Sequence, residues 1–139
     1  MLNEKDYCDY DTCVALKELG YKVPTSAYYI TNDTTLYFVS NPFRGGYAID
    51  CFYSHNSLRE GVVTSNYIDA PTMWEAQKWL REEKKIHITI FVFKDIYYWD
   101  ISMVGSYASC KETHKDYSSY EEALLEAIKE AIKMLKEEK

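Results

Sequence analysis

Residues 70–86 read APTMWEAQKWLREEKKI, and residues 86–93 continue as IHITIFVF. The two stretches carry different periods, and the switch between them sets the fold class. In the first, Met73, Ala76, Trp79 with Leu80, and Ile86 recur at helical spacing, which predicts a helix with one large apolar face. Thr72 with Glu75 three residues on reads as a capping box, in which the Thr72 hydroxyl accepts from the Glu75 N–H and the carboxylate reaches back to Thr72. Pro71 biases Ala70 away from helical backbone and so marks the start. Lys84 and Lys85 suit the negative end of the helix dipole. In the second stretch Ile86, Ile88, Ile90 and Val92 alternate with His87, Thr89, Phe91 and Phe93. That alternation predicts a strand whose aliphatic side meets the helices.

Toward the N-terminus, residues 9–19 read as a short helix. Asp9 or Asp11 can cap it, Ala15, Leu16 and Leu19 give the apolar stripe, and Gly20 fits the left-handed position after its end. Residues 26–31 and 35–39, separated by Asn32-Asp33, predict a hairpin. A turn at 41–46 and a strand at 47–53 extend it to a meander. Residues 54–69 have little pattern beyond a short extended piece at 62–64. After the 86–93 strand, Lys94-Asp95 turns the chain and 96–104 returns as a strand. Residues 105–116 read as a polar loop. Ser118 with Glu121 is a second capping box, opening a long helix through Tyr120, Leu124, Ala127, Ile128, Ala131 and Leu135. The expected fold is α+β: one domain over residues 1–139, order α-β-β-β-α-β-β-α. Its sheet is five-stranded and mainly antiparallel, with helices mostly on one face.

The pattern APTxWxAQKWLRE resembles a marker of small uncharacterised proteins of gut bacteria and of their phages and mobile elements. Lys17, Leu19 and Gly20 before it, and Tyr120, Glu121, Glu122 and Ala123 after it, match the flanking helices of that group. The resemblance implies a fold and a genomic setting and no activity.

The chain has 139 residues and a net charge of −6, with 47% hydrophobic and 16% aromatic residues, 14 of them Tyr. The acidic balance disfavours nucleic acid and anionic membranes as partners. No run is long and apolar enough for a membrane span and the N-terminus has no apolar leader core, so a cytoplasmic location is expected. Cys8, Cys13, Cys51 and Cys110 are then expected to be reduced.

Cys51 with His55 and Cys110 with His114 repeat one spacing and together would supply a tetrahedral zinc set. Chance spacing is the competing explanation, and no metal or other cofactor is expected. Cys51 beside His55 or His87 is the one nucleophile arrangement that can be drawn, without a flanking signature to support it. Arg44, Gly45 and Gly46 offer a cation and backbone amides to an anion such as a phosphate, although hairpin-turn chemistry explains them as well. If the aliphatic side of the 86–93 strand is buried, then His87, Phe91 and Phe93 face away. Some of Tyr29, Tyr37, Phe52, Tyr53, Tyr97 and Trp99 would join them. Trp74, Gln77 and Arg81 are the helix residues that packing leaves unexplained. An aromatic face must be covered or used. The expected function is therefore a small non-enzymatic protein-binding or regulatory protein, acting as a homodimer or with a protein partner through His87, Phe91, Phe93, Trp74 and Arg81. A small-ligand binder, of nucleotide-like compounds, using the 41–69 loops and the aromatic face is the alternative. A cysteine-dependent enzyme ranks last.

Overall fold

Helix α1, Tyr10–Glu18, shows how closely local sequence sets an element. Asp9 caps it, its side chain accepting from the Thr12 N–H at 3.0 Å. At the other end Gly20 sits at φ +99° and donates to Lys17 O, while Tyr21 N–H donates to Leu16 O. This is the paired hydrogen bonding of a Schellman end, and the buried Tyr21 and Leu16 supply its apolar contact. The structure, a computed structural model, describes residues 4–38, 67–105, 109–113 and 115–137. A single 3₁₀ turn, Glu4–Asp6, precedes α1.

The chain divides into two compact units, Met1–Thr72 and Met73–Lys139. In the first, β1 (Ala27–Ile30) lies between β2 (Leu36–Phe38) and β3 (Tyr67–Asp69), antiparallel to both. Ala27, Tyr29, Leu36 and Ile68 form its buried face, and α1 packs against β3. The opposite face carries a row of tyrosines. Tyr28 stacks on Tyr37 at 5.6 Å and meets Tyr67 edge-on at 5.2 Å. Asn32, at φ 69°, turns the chain between β1 and β2, and Asp33 ties the turn by accepting from Thr35 N–H and Tyr37 Oη.

In the second unit β4 (Ile86–Phe93) and β5 (Ile96–Met103) form a long hairpin, and β6 (Ser109–Glu112) adds to the far side of β5. Helices α2 (Met73–Glu83) and α3 (Tyr120–Glu137) pack on each other and on the hairpin. They cover the face bearing Ile86, Ile88, Trp99 and Ile101, all buried, and leave His87 and Phe91 exposed on the other. In α3 the buried residues are Ala123, Leu124, Ala127, Ile128, Ala131 and Ile132. Alanine recurs at every turn of that stripe.

Two expectations need correction. Among the described residues the single five-stranded sheet is instead two antiparallel three-stranded sheets, one in each unit. The strand expected at 47–53 lies outside the described residues, whereas β3 falls in a stretch that reads as having little pattern and β6 in one that reads as a polar loop. Three or four residues are too few to display a period of two, and β6 (SCKE) has no apolar residue but Cys110. The cap of α3 also moves by one residue. Ser119 Oγ accepts from Glu122 N–H at 3.1 Å, and the Glu122 carboxylate accepts from Ser118 Oγ at 3.0 Å. The capping pair is thus Ser119 with Glu122, and Tyr120 is the first helical residue.

Candidate interaction surface

The β4–β5 hairpin turns over two residues, Lys94 and Asp95, so Phe93 pairs with Ile96 and every earlier pair follows. Lys94 takes the positive φ, 57°, that such a turn requires. On the uncovered face this register sets Phe91 opposite Tyr98, and the two rings stack at 5.5 Å with an interplanar angle of 22°. Phe93 and Ile96 extend the apolar surface to the tip, where the Lys94 ammonium lies over the Phe93 ring at 5.7 Å. His87 is exposed on the same face, nearer the start of β4.

The strand also outruns its cover. Ile86 and Ile88 are 2% exposed, Ile90 is half-buried, and Val92 is 59% exposed although it belongs to the aliphatic side. Phe93 is 65% exposed. The alternation therefore predicts burial at the start of β4 and fails at its end, because the helices cover only the first part of the hairpin. Both faces of the tip are apolar and meet water.

The backbone of β4 adds a second feature. A two-residue turn closes on a hydrogen-bonded pair, so odd-numbered residues of β4 direct N–H and C=O to β5 and even-numbered ones direct them outward. The Val104 N–H donating to Lys85 O at 2.8 Å continues that parity. Ile88 O accordingly points to the outer edge, where it accepts from Gln77 Nε2 of α2 at 3.1 Å. Among the described residues, the outward groups of Ile90 and Val92 have no such partner, and β4 pairs with β5 alone.

Gln77 is thereby explained, and with it the side of α2 it occupies. Trp74 and Arg81 lie three residues before and four residues after Gln77, on the same side of the helix. Trp74 is 39% exposed and Arg81 half-buried. The structure thus gathers His87, Phe91 and Phe93 on one sheet face, and sets Trp74 and Arg81 along the helix side that borders the β4 edge. Of the aromatics expected to join that face, Trp99 and Tyr97 belong to the opposite one. Trp99 is buried with its Nε1 3.4 Å from Tyr117 Oη, and Tyr97 meets Tyr120 edge-on. Tyr29 and Tyr37 lie in the first unit's sheet, on its two opposite faces. Phe52 and Tyr53 lie outside the described residues. Tyr98 and Ile96 are the members that sequence reading missed. The signal was present, since a two-residue turn at Lys94-Asp95 forces Phe91 to face Tyr98.

No family model, curated protein or solved structure matches this chain.

Arg44, Gly45, Gly46, Cys51, His55 and His114 lie outside the described residues, as does the Cys110 side chain. Among the described residues no cluster of His, Cys, Asp or Glu is suited to a metal ion. Cys8 and Cys13 are buried thiols in the interior of the first unit, where Cys13 Sγ donates to Cys8 O at 3.5 Å. Burial, with Cys8, Asp9 and Asp69 nearby, raises the Cys13 pKa well above the ordinary thiol value, so Cys13 stays protonated. A protonated, enclosed thiol is a poor nucleophile. No helix among the described residues is long and apolar enough to cross a membrane.

Proposed function

We propose that this is a non-enzymatic binding or regulatory protein whose contact surface is the tip and outer face of the β4–β5 hairpin. One observation carries the reading: Phe91, Val92, Phe93, Ile96 and Tyr98 are left in water at the end of an ordered ladder. Contiguous exposed apolar surface is uncommon on a monomer and marks contact sites. Its residue types suit an interface core, where aromatic rings are enriched and charges depleted. Removing such surface from water contributes roughly 25 cal/mol per Å² of apolar area. The resemblance of the 70–86 stretch supports a bacterial or phage-associated setting, and the cytoplasm is the compartment we infer.

The test is capture from the native host by the full chain and by a Phe93→Ser variant. Phe93 is mostly exposed and outside the core, so the variant should melt at the wild-type temperature. A protein retained by wild type and lost by the variant, from the host or another copy of this chain, is the expected result. Equal retention by both would place the contact surface elsewhere.

A further inference from the structure

We propose that the occupant of the hairpin tip is a second copy of this chain, paired antiparallel along the outer edge of β4 with Phe91 opposite Phe91. The inference rests on the hairpin reading above and adds the identity of the partner.

An exposed strand edge is a template for another strand, and proteins usually blunt it with charge, proline or a covering element. From Ile86 to Phe93, β4 has no proline and no Asp, Glu, Lys or Arg. Among the described residues its one block is Gln77, which occupies Ile88 O and stops there. The open groups are those of Ile90 and Val92. A two-fold axis normal to the sheet keeps like faces together, so paired residue numbers must sum to an even value. Centring on Ile90 would match Ile88 with Val92 and displace Gln77. Centring on Phe91 matches Ile90 with Val92 at both symmetric positions, uses only the open groups and leaves Gln77 in place.

The register sets no like charges against each other, because residues 86–93 carry no Asp, Glu, Lys or Arg, and Lys94 and Asp95 belong to the turn. On the uncovered face the two Phe91–Tyr98 stacks join across the axis, because Phe91 pairs with its own copy at a close, non-hydrogen-bonded position. Phe93 then lies opposite Thr89, and the most exposed ring at the tip is covered.

Sedimentation velocity of the full chain, from micromolar to hundreds of micromolar, tests this against Val92→Pro. The Val92 N–H points outward and serves no bond to β5, and an edge strand tolerates proline at such a position. Wild type is expected to form a concentration-dependent dimer, and Val92→Pro to weaken it by about tenfold or more. A wild-type monomer at every concentration overturns the proposal, as does a dimer of unchanged strength in the variant. Should Val92→Pro fail to fold, Thr89→Cys and Phe93→Cys copies lacking Cys51 and Cys110 are mixed and oxidised. A disulfide-linked heterodimer that neither copy forms alone supports the register, and its absence overturns it. If wild type is monomeric yet Phe93→Ser still loses a host protein, the second copy falls and the hairpin reading stands.

Discussion

The two sheets solve the same problem with different means. Among the described residues, the first has strands of 4, 3 and 3 residues and a 9-residue helix. Its interior includes polar groups tied to backbone: Thr25 Oγ1 donates to Ala27 O, Tyr29 Oη to Cys8 O and Cys13 Sγ to Cys8 O. Among the described residues, the second has two 8-residue strands and an 18-residue helix, and its interior is mostly Ala, Leu, Ile, Met and Trp, with Tyr117 joined to Trp99 Nε1 through its Oη. Small elements bury little apolar surface, so the first unit supplements burial with buried hydrogen bonds, each contributing about 0.5–1.5 kcal/mol net. The second buries enough along α3 that its hairpin can extend beyond the helices.

The largest expected effect tests the apolar side of that contrast. Ile128→Ala removes a fully buried side chain from α3 and should cost about 2–5 kcal/mol, read from urea denaturation of the full chain. A loss under 1 kcal/mol would mean that the α3 stripe does not dominate the second core. Tyr29→Phe tests the polar side. It removes the hydroxyl that donates to Cys8 O at 3.0 Å and should cost about 1–2 kcal/mol, since the carbonyl stays buried. A neutral result would make the first unit's interior as apolar in effect as the second's.

The helix ends sharpen the comparison further. α1 closes on Gly20 at φ +99°, whereas the matching position after α2 is Lys85 at φ 60°. Gly20→Ala should cost about 1 kcal/mol and Lys85→Gly should gain up to about the same amount, because only glycine takes positive φ without penalty. The Lys85 ammonium also donates to Glu82 O at 2.8 Å, and losing that bond reduces the gain. Opposite signs in thermal melting of the two variants are the expected outcome.

The smallest effect near neutrality concerns Cys13. Its folded pKa lies above the thiol value of 9.0, so the unfolded chain releases that proton first. The resulting stability is fully present below the unfolded pKa and is lost as pH rises toward the folded one. Stability measured against pH should fall above about pH 9 by less in Cys13→Ala than in wild type, and the two should run parallel below about pH 8. Parallel curves throughout would mean that Cys13 ionises as easily folded as unfolded.

Much of this is legible in the chain. Asp9, Gly20, the α2 and α3 stripes and the Lys94-Asp95 turn each rest on neighbours within a few residues, so their physics is local. The uncovered ring pair was half legible: Phe91 follows from alternation, and Tyr98 follows only when the turn is used to count register. The α3 cap shows the limit of motif spacing. Ser118-x-x-Glu121 and Ser119-x-x-Glu122 both fit the pattern, and the backbone entering the helix chooses the second.

What the sequence by itself determined is therefore the three helices, the β1–β2 and β4–β5 hairpins and the faces of the longer elements, since periodicity and caps are properties of adjacent residues. Only the tertiary structure decided how strands distribute between two sheets, because β3 and β6 carry too few residues to announce themselves. Only it decided where cover ends along β4. Val92 obeys the same alternation as Ile88, and the difference between them is how far the helices reach along the hairpin. It also gave Gln77 its role, a bond between a helix side chain and a strand-edge carbonyl that no spacing in the sequence encodes.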